Sequence, residues 1–259
     1  MKKILFSLLV YLSAFNAFSQ KNSSLSLSIG PALPTGEFAS KDANDLKSGL
    51  AQTGGIVDLS YMHTVGHSGF GFTAMLRGRA NGISSSAVLE PFEKQYPDYQ
   101  WSNKKKYYTT AAALVGAYYH FPATKRIDLR GKLLMGVAES WLPDYSITGV
   151  RDTGANHIPT DLILATSNKR HALSFSGTAK IEMAYKLTNK FSFVAGLDFW
   201  YQKATFKNLT QVTAYAHGFL IPNYLNLNGA SVIEVDSHTF NYTQQMNSLN
   251  LTLGVSMAL

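Results

Sequence analysis

The chain has 259 residues, 46% of them hydrophobic, 12% aromatic and only 15% charged, against a usual charged share of about 25%. It contains no cysteine, which excludes disulfides and thiolate metal sites. The formal charge is +7; setting aside Lys2 and Lys3 leaves 21 basic against 16 acidic residues, about +5, too scattered for a nucleic-acid surface.

Lys2 and Lys3 precede an apolar run from Ile4 to Phe15 that is short for a membrane span. Small residues Ala17 and Ser19 then precede Gln20, the pattern of a secretory signal peptide over residues 1–19. An N-terminal anchor is the rival reading; no cysteine follows the run, so lipid attachment there is excluded. Residues 20–259 are expected to form one domain with no transmembrane helix.

Period-two segments then recur along the chain. The first, Ser24 to Gly30, sets Leu25, Leu27 and Ile29 against serines. The second, Gly55 to His63, sets Val57, Leu59 and Tyr61 against Asp58 and Ser60. After "TVGHS", the third runs from Gly69 to Ala80, with Phe70, Phe72, Ala74 and Leu76 against Gly71, Thr73, Arg77 and Arg79. A polar, aromatic-rich loop containing Lys104, Lys105 and Lys106 leads to the fourth, Tyr107 to Phe121. "PATK" turns into the fifth, Arg126 to Trp141, where Leu129, Leu133 and Met135 oppose Asp128, Arg130 and Lys132. Beyond another long loop, the sixth covers Ala172 to Leu187, with Lys180 and Glu182 on its polar face. "TNK" leads to the seventh, from Phe191 past Tyr201, and the longest loop precedes the eighth, "LNLTLGVSMAL".

The connections thus alternate long and short. The expected fold is all-β: an eight-stranded antiparallel transmembrane β-barrel with long extracellular loops and short periplasmic turns. A lipocalin-like soluble barrel would also alternate, but with its apolar face inward. Three features favour the membrane reading. Both signs of charge (Asp58, Arg77, Arg79, Arg130, Lys132, Lys180, Glu182 and Asp198) lie deep within strands on the polar face, and Lys132–Glu182 and Lys180–Asp198 are expected as interior ion pairs. Aromatics gather on the apolar face in two belts. Tyr61, Phe70, Phe72, Tyr119, Phe121, Tyr185, Phe191 and Phe193 lie towards the short turns, and Trp141, Phe175, Phe199 and Tyr201 towards the long loops. Several segments also exceed the roughly 5–6 residues of an ordinary strand.

"LNLTLGVSMAL" resembles the C-terminal signal strand of outer-membrane barrels, with Leu259 where such strands usually end in an aromatic. "SLSLSIGPALPTGEFAS", "GLAQTGG" and "VDLSYMHTV" are similar to the first hairpin of the small outer-membrane β-barrel domain family, which shares its architecture with the OmpA-type transmembrane domain and OmpX. The resemblance implies residence in the bacterial outer membrane and recognition of the last strand by the barrel-assembly machinery. It supplies no catalytic residue.

Candidate chemistry is sparse. His63 and His67 flank a turn and lack a third ligand, and "KDANDLKSG" lacks the spacing of a calcium loop and reads as a solvated loop. Glu139 and His171 share the apolar face near the long-loop rim, but Ser140, Ser174 and Ser176 have the opposite parity, so a lipid hydrolase would need a serine from a loop, and an interfacial pair at a strand end is the simpler reading. No catalytic, cofactor-binding or metal residue is assigned, and no cofactor is expected. An eight-stranded interior filled by side chains disfavours a general pore. The aromatic stretches "EPFEKQYPDYQW" and Ala214 to Tyr242 suit contact with a protein, glycan or lipopolysaccharide partner, though cohesion among the loops accounts for them equally well. The expected role is therefore structural or binding at the cell surface, as a monomer in outer-membrane lipid. A lipid-remodelling enzyme is the main alternative and a soluble carrier the next.

Overall fold

The structure, a computed structural model, describes residues 23–217 and 231–259 except 44, 46, 67, 105–106, 144–145, 153–158 and 169. The expected signal peptide lies outside the described residues, as do His67, Lys105, Lys106 and part of the Ala214–Tyr242 stretch.

Period-two sequence gives long antiparallel strands: β1 (Ser23–Pro34), β2 (Ala51–Thr64), β3 (Phe70–Ile83), β5 (Tyr107–Pro122), β6 (Ile127–Trp141), β9 (His171–Lys186), β10 (Phe191–His217) and β12 (Ser248–Ala258). In that order each pairs with the next, and β12 pairs back onto β1, so the eight close into a ring. Closure leaves these strands no free edge. The register at the seam sets Leu25 opposite Met257 and Leu33 opposite Leu249. A side chain at either Gly30 or Gly254 would collide there, with the carbonyl of Leu251 or Leu27 respectively. These glycines permit the close approach that a tightly coiled seam needs.

Residues 65–69, 123–126 and 187–190 make the three tight turns at one end of the ring. The long connections at the other end are more ordered than the sequence suggested. They hold helix α1 (Ser85–Gln95) and strands β4 (Gln100–Asn103), β7 (Ser146–Asp152), β8 (Pro159–Ser167) and β11 (Ser231–Gln245). Eight strands were expected, and twelve are present among the described residues. The reason is β10, which is 27 residues long. Its first part belongs to the ring; from Lys203 it pairs with β11, through a bulge between Phe206 and Leu209, and from Gln211 with β8 on the other side. At that bulge Asn208 takes a left-handed conformation (φ 54°) and its carbonyl accepts from Arg170 Nε at 2.9 Å. A second sheet, ordered β11-β10-β8-β7-β4, therefore stands above the ring.

The two faces of the ring are inverted relative to a soluble protein. Outward side chains are large, apolar and exposed: Ile29 at 62%, Leu133 at 63%, Leu173 at 72%. Inward ones are polar or charged and buried: Asp58 at 0%, Lys180 at 1%, Arg77 at 3%. The aromatics of both expected belts lie on the outer face, with Phe72 and Phe175 the most exposed of them.

Candidate functional site

Inside the ring, charge is organised by pairs that cross it. Arg77 on β3 grips its direct register partner Asp58 on β2, with Nε–Oδ1 at 2.7 Å and Nη2–Oδ2 at 2.8 Å. Its Nη1 and Nη2 also donate to both carboxylate oxygens of Asp198, each at 2.9 Å. Asp198 is on β10, four strands from β3 in either direction around the ring. Lys180 on β9 reaches Asp58 on the opposite strand at 3.2 Å and Glu182 at 3.0 Å, and Lys132 meets Glu182 at 2.5 Å. The Lys132–Glu182 expectation therefore holds. The Lys180–Asp198 expectation does not: the two are register neighbours, but Asp198 turns inward to Arg77 and Asn250, whose Nδ2 donates at 2.7 Å. Arginine's planar fork pairs with both oxygens of each aspartate, whereas Lys180 makes single contacts with Asp58 and Glu182.

The interior is not wholly polar. Met75, Leu114, Leu134, Ala138 and Trp200 form a buried apolar layer within it. Trp200 is fully buried, with Arg77 and Arg79 above its ring at 5.2 and 5.6 Å. The reading by faces passed over this layer because Trp200 stands between Phe199 and Tyr201; its parity with Asp198 and Gln202 was the available signal.

Towards the long-loop end, the β1–β2 connection folds over the lumen. A short 3-10 turn (Gly36–Phe38) drives Phe38 to full burial against Tyr108, ring centroids 5.2 Å apart, with Arg79 over its face at 5.4 Å. Arg79 also donates to the Met246 carbonyl and Ser248 hydroxyl, both at 3.0 Å. Phe38, Leu142, Phe206 and Met246 belong to one buried cluster that closes this end. The "KDANDLKSG" stretch keeps Lys41, Asp45 and Lys47 exposed, but Ser48 is buried and bonded to Ser40 at 2.7 Å. It is thus only partly the solvated loop that its composition suggests.

Above the cluster lies a mainly apolar cavity of about 370 Å³ between the connections, walled by Leu50, Ile83, Val88, Phe92, Ile147 and Phe240, with Lys104 at its edge. The aromatics of "EPFEKQYPDYQW" pack on one another beside it. Phe92, Tyr96 and Tyr99 each lie within 6.2 Å of Trp101, and Arg151 covers Tyr99 at 5.5 Å. These contacts hold that connection together.

His171 Nδ1 lies 2.9 Å from Glu139 Oε1 on the exposed outer face. Ser140 and Ser176 are buried in the lumen, and Gln202 Nε2 donates to Ser140 and Ser174 at 2.8 Å each. The pair and these hydroxyls are therefore on opposite sides of the sheet. His63 faces Ser23 at 2.9 Å, and among the described residues no cluster of three His, Asp or Glu could hold a metal.

No family model and no curated protein matches this sequence. Solved structures to which the chain is similar include Ail, the attachment invasion locus protein of Yersinia pestis, in complex with the heparin analogue sucrose octasulfate. That match has 11% identity over 91% of this chain and 98% of that one, with a TM-score of 0.40. Two others are a major outer membrane protein from Thermus thermophilus (10% identity, 91% and 98% covered, TM-score 0.41) and the outer membrane protein OprG from Pseudomonas aeruginosa (11%, 92% and 96%, TM-score 0.39).

Proposed function

We propose that this protein is an eight-stranded barrel of the bacterial outer membrane that carries a folded cap for binding at the cell surface and has no open channel. The observation that carries the reading is the inversion of faces. Leucine, phenylalanine and valine are exposed around the ring while, among the described residues, eight charged side chains are buried on its inner face: Asp58, Arg77, Arg79, Asp128, Lys132, Lys180, Glu182 and Asp198. In water that outer face would be an apolar patch far beyond the few hundred Å² a soluble monomer tolerates. In a bilayer it is the surface that lipid requires, with every backbone group paired around a closed sheet. Ring strands of 11–16 residues, apart from the longer β10, meet the need of about 9–11 for a tilted span.

The three tight turns face the periplasm and the second sheet faces out. Outer-leaflet lipid and lipopolysaccharide surround the barrel, the assembly machinery engages β12, and the protein works as a monomer whose ligand is a surface protein or glycan held by the cap. The crossing ion pairs and the Phe38 cluster close the lumen at two levels, which argues against conduction. A soluble carrier would need the reverse arrangement of faces, and the Glu139–His171 pair has no hydroxyl from Ser140, Ser174 or Ser176 on its side, so a non-catalytic role is the better reading. The test is fractionation with unboiled electrophoresis, followed by whole-cell binding after removal of the β7–β8 hairpin. The reading expects an outer-membrane protein whose mobility changes on boiling and whose binding falls with the hairpin; a soluble protein of unchanged mobility would overturn it.

A further inference from the structure

At the tight-turn end the lumen opens into a polar cavity of about 690 Å³. Lys125, Arg126, Arg130, Lys186 and Lys190 line it against a single carboxylate, Asp128. Two of these cations are engaged: Arg126 donates to Tyr185 at 3.4 Å, and Lys186 meets Asp128 at 3.2 Å. Arg130 stands deeper on the wall of β6. Its register partner on β9 is Glu182, but both Glu182 oxygens are directed to Lys132 and Lys180. Arg130 Nη1 is buried with no hydrogen-bond partner. The inward hydroxyls of Ser24, Ser192 and Ser256 add neutral donors to the same cavity.

A buried guanidinium nitrogen without an acceptor is costly to leave so, and the excess of cations selects the sign of what completes it. We propose that this mouth is a binding site for a multiply charged oxyanion of the phosphate class, gripped by Arg130 and flanked by Lys125 and Lys190. Arginine and lysine donate charge-assisted hydrogen bonds to phosphate oxygens, arginine through two parallel bonds. The site rests on the outer-membrane reading only for its address, which places it on the periplasmic side. The phosphate has two sources, a soluble anion entering the mouth or the headgroup of an inner-leaflet lipid, and they differ in whether lipid must be present.

The test uses the refolded full-length mature protein in an uncharged detergent, titrated calorimetrically with inorganic phosphate and pyrophosphate at fixed ionic strength. A parallel titration in phosphatidylcholine nanodiscs, with and without phosphatidylglycerol, separates the two sources. The proposal expects saturable binding, tighter for pyrophosphate, that weakens about tenfold or more in Arg130→Gln and also in Lys190→Gln. Competition by phosphatidylglycerol against pyrophosphate would assign the lipid headgroup as the source, and its absence the soluble anion. No binding to the unaltered protein, or equal binding by Arg130→Gln, overturns the site. Heat-modifiable migration of every variant reports separately on the barrel, so failure of the site and failure of the membrane reading give different results.

Discussion

Arg77 and Asp198 lie on strands diametrically opposite in the ring and meet at its centre through two hydrogen bonds of 2.9 Å. Lys180 and Asp58, also on opposite strands, form a second bridge at the same level. The barrel is therefore tied across its diameter as well as around its circumference. Removing one partner of such a buried pair strands the other, at a cost of about 3–5 kcal/mol. Arg77→Ala should lower stability by that amount in urea titrations of the vesicle-inserted protein followed by tryptophan fluorescence. A change below about 1 kcal/mol would show that the bridges are dispensable.

The Phe38 cluster and the ion-pair bridges are expected to close the lumen independently. Phe38→Ala should cost about 3–5 kcal/mol through the cavity it leaves, yet leave planar-bilayer conductance at background because the Arg77 and Lys180 bridges persist below it. Conductance from the Phe38 variant alone would mean that the lumen beneath is open.

Closure of the ring depends on the β1–β12 seam. Gly254→Val places a side chain against the Leu27 carbonyl and should reduce the fraction of protein that shows heat-modifiable migration after refolding. Substitution of Gly131, where an added Cβ meets nothing within 4 Å, should leave that fraction unchanged.

The Glu139–His171 contact at the outer rim is expected to be an interfacial polar pair. Glu139→Gln and His171→Ala should leave lipid A unchanged by mass spectrometry of whole cells. Altered acylation in either variant would revive the lipid-remodelling alternative.

The sequence made the ring legible because alternation is a local property: Leu129, Leu133 and Met135 against Asp128, Arg130 and Lys132 already describes two faces of β6. It also paired Lys132 with Glu182, which sit close on adjacent strands. It could not show Arg77 reaching Asp198, because that contact crosses the lumen and depends on ring closure rather than on register. The cap was missed for a related reason. β7, β8 and β11 become strands by pairing with the second half of β10 or with each other, and Phe38 is buried by a connection that looks polar. The mouth at the tight-turn end was illegible too: Arg130 looked like one more interior charge, and only the packed ring shows its Nη1 buried without an acceptor.

The central claim is the inversion of faces, and the absence of cysteine allows a direct test by spin labels placed one at a time on a background without reactive thiols. Labels would be attached in lipid vesicles at consecutive positions from Leu129 to Val137, and their collisions with molecular oxygen and with a water-soluble nickel chelate measured. The account predicts a period of two: Leu129, Gly131, Leu133, Met135 and Val137 open to oxygen and shielded from the chelate, and Lys132, Leu134 and Gly136 shielded from both. Chelate access at Leu133 and Met135 would place that face in water and contradict the barrel's position in the membrane.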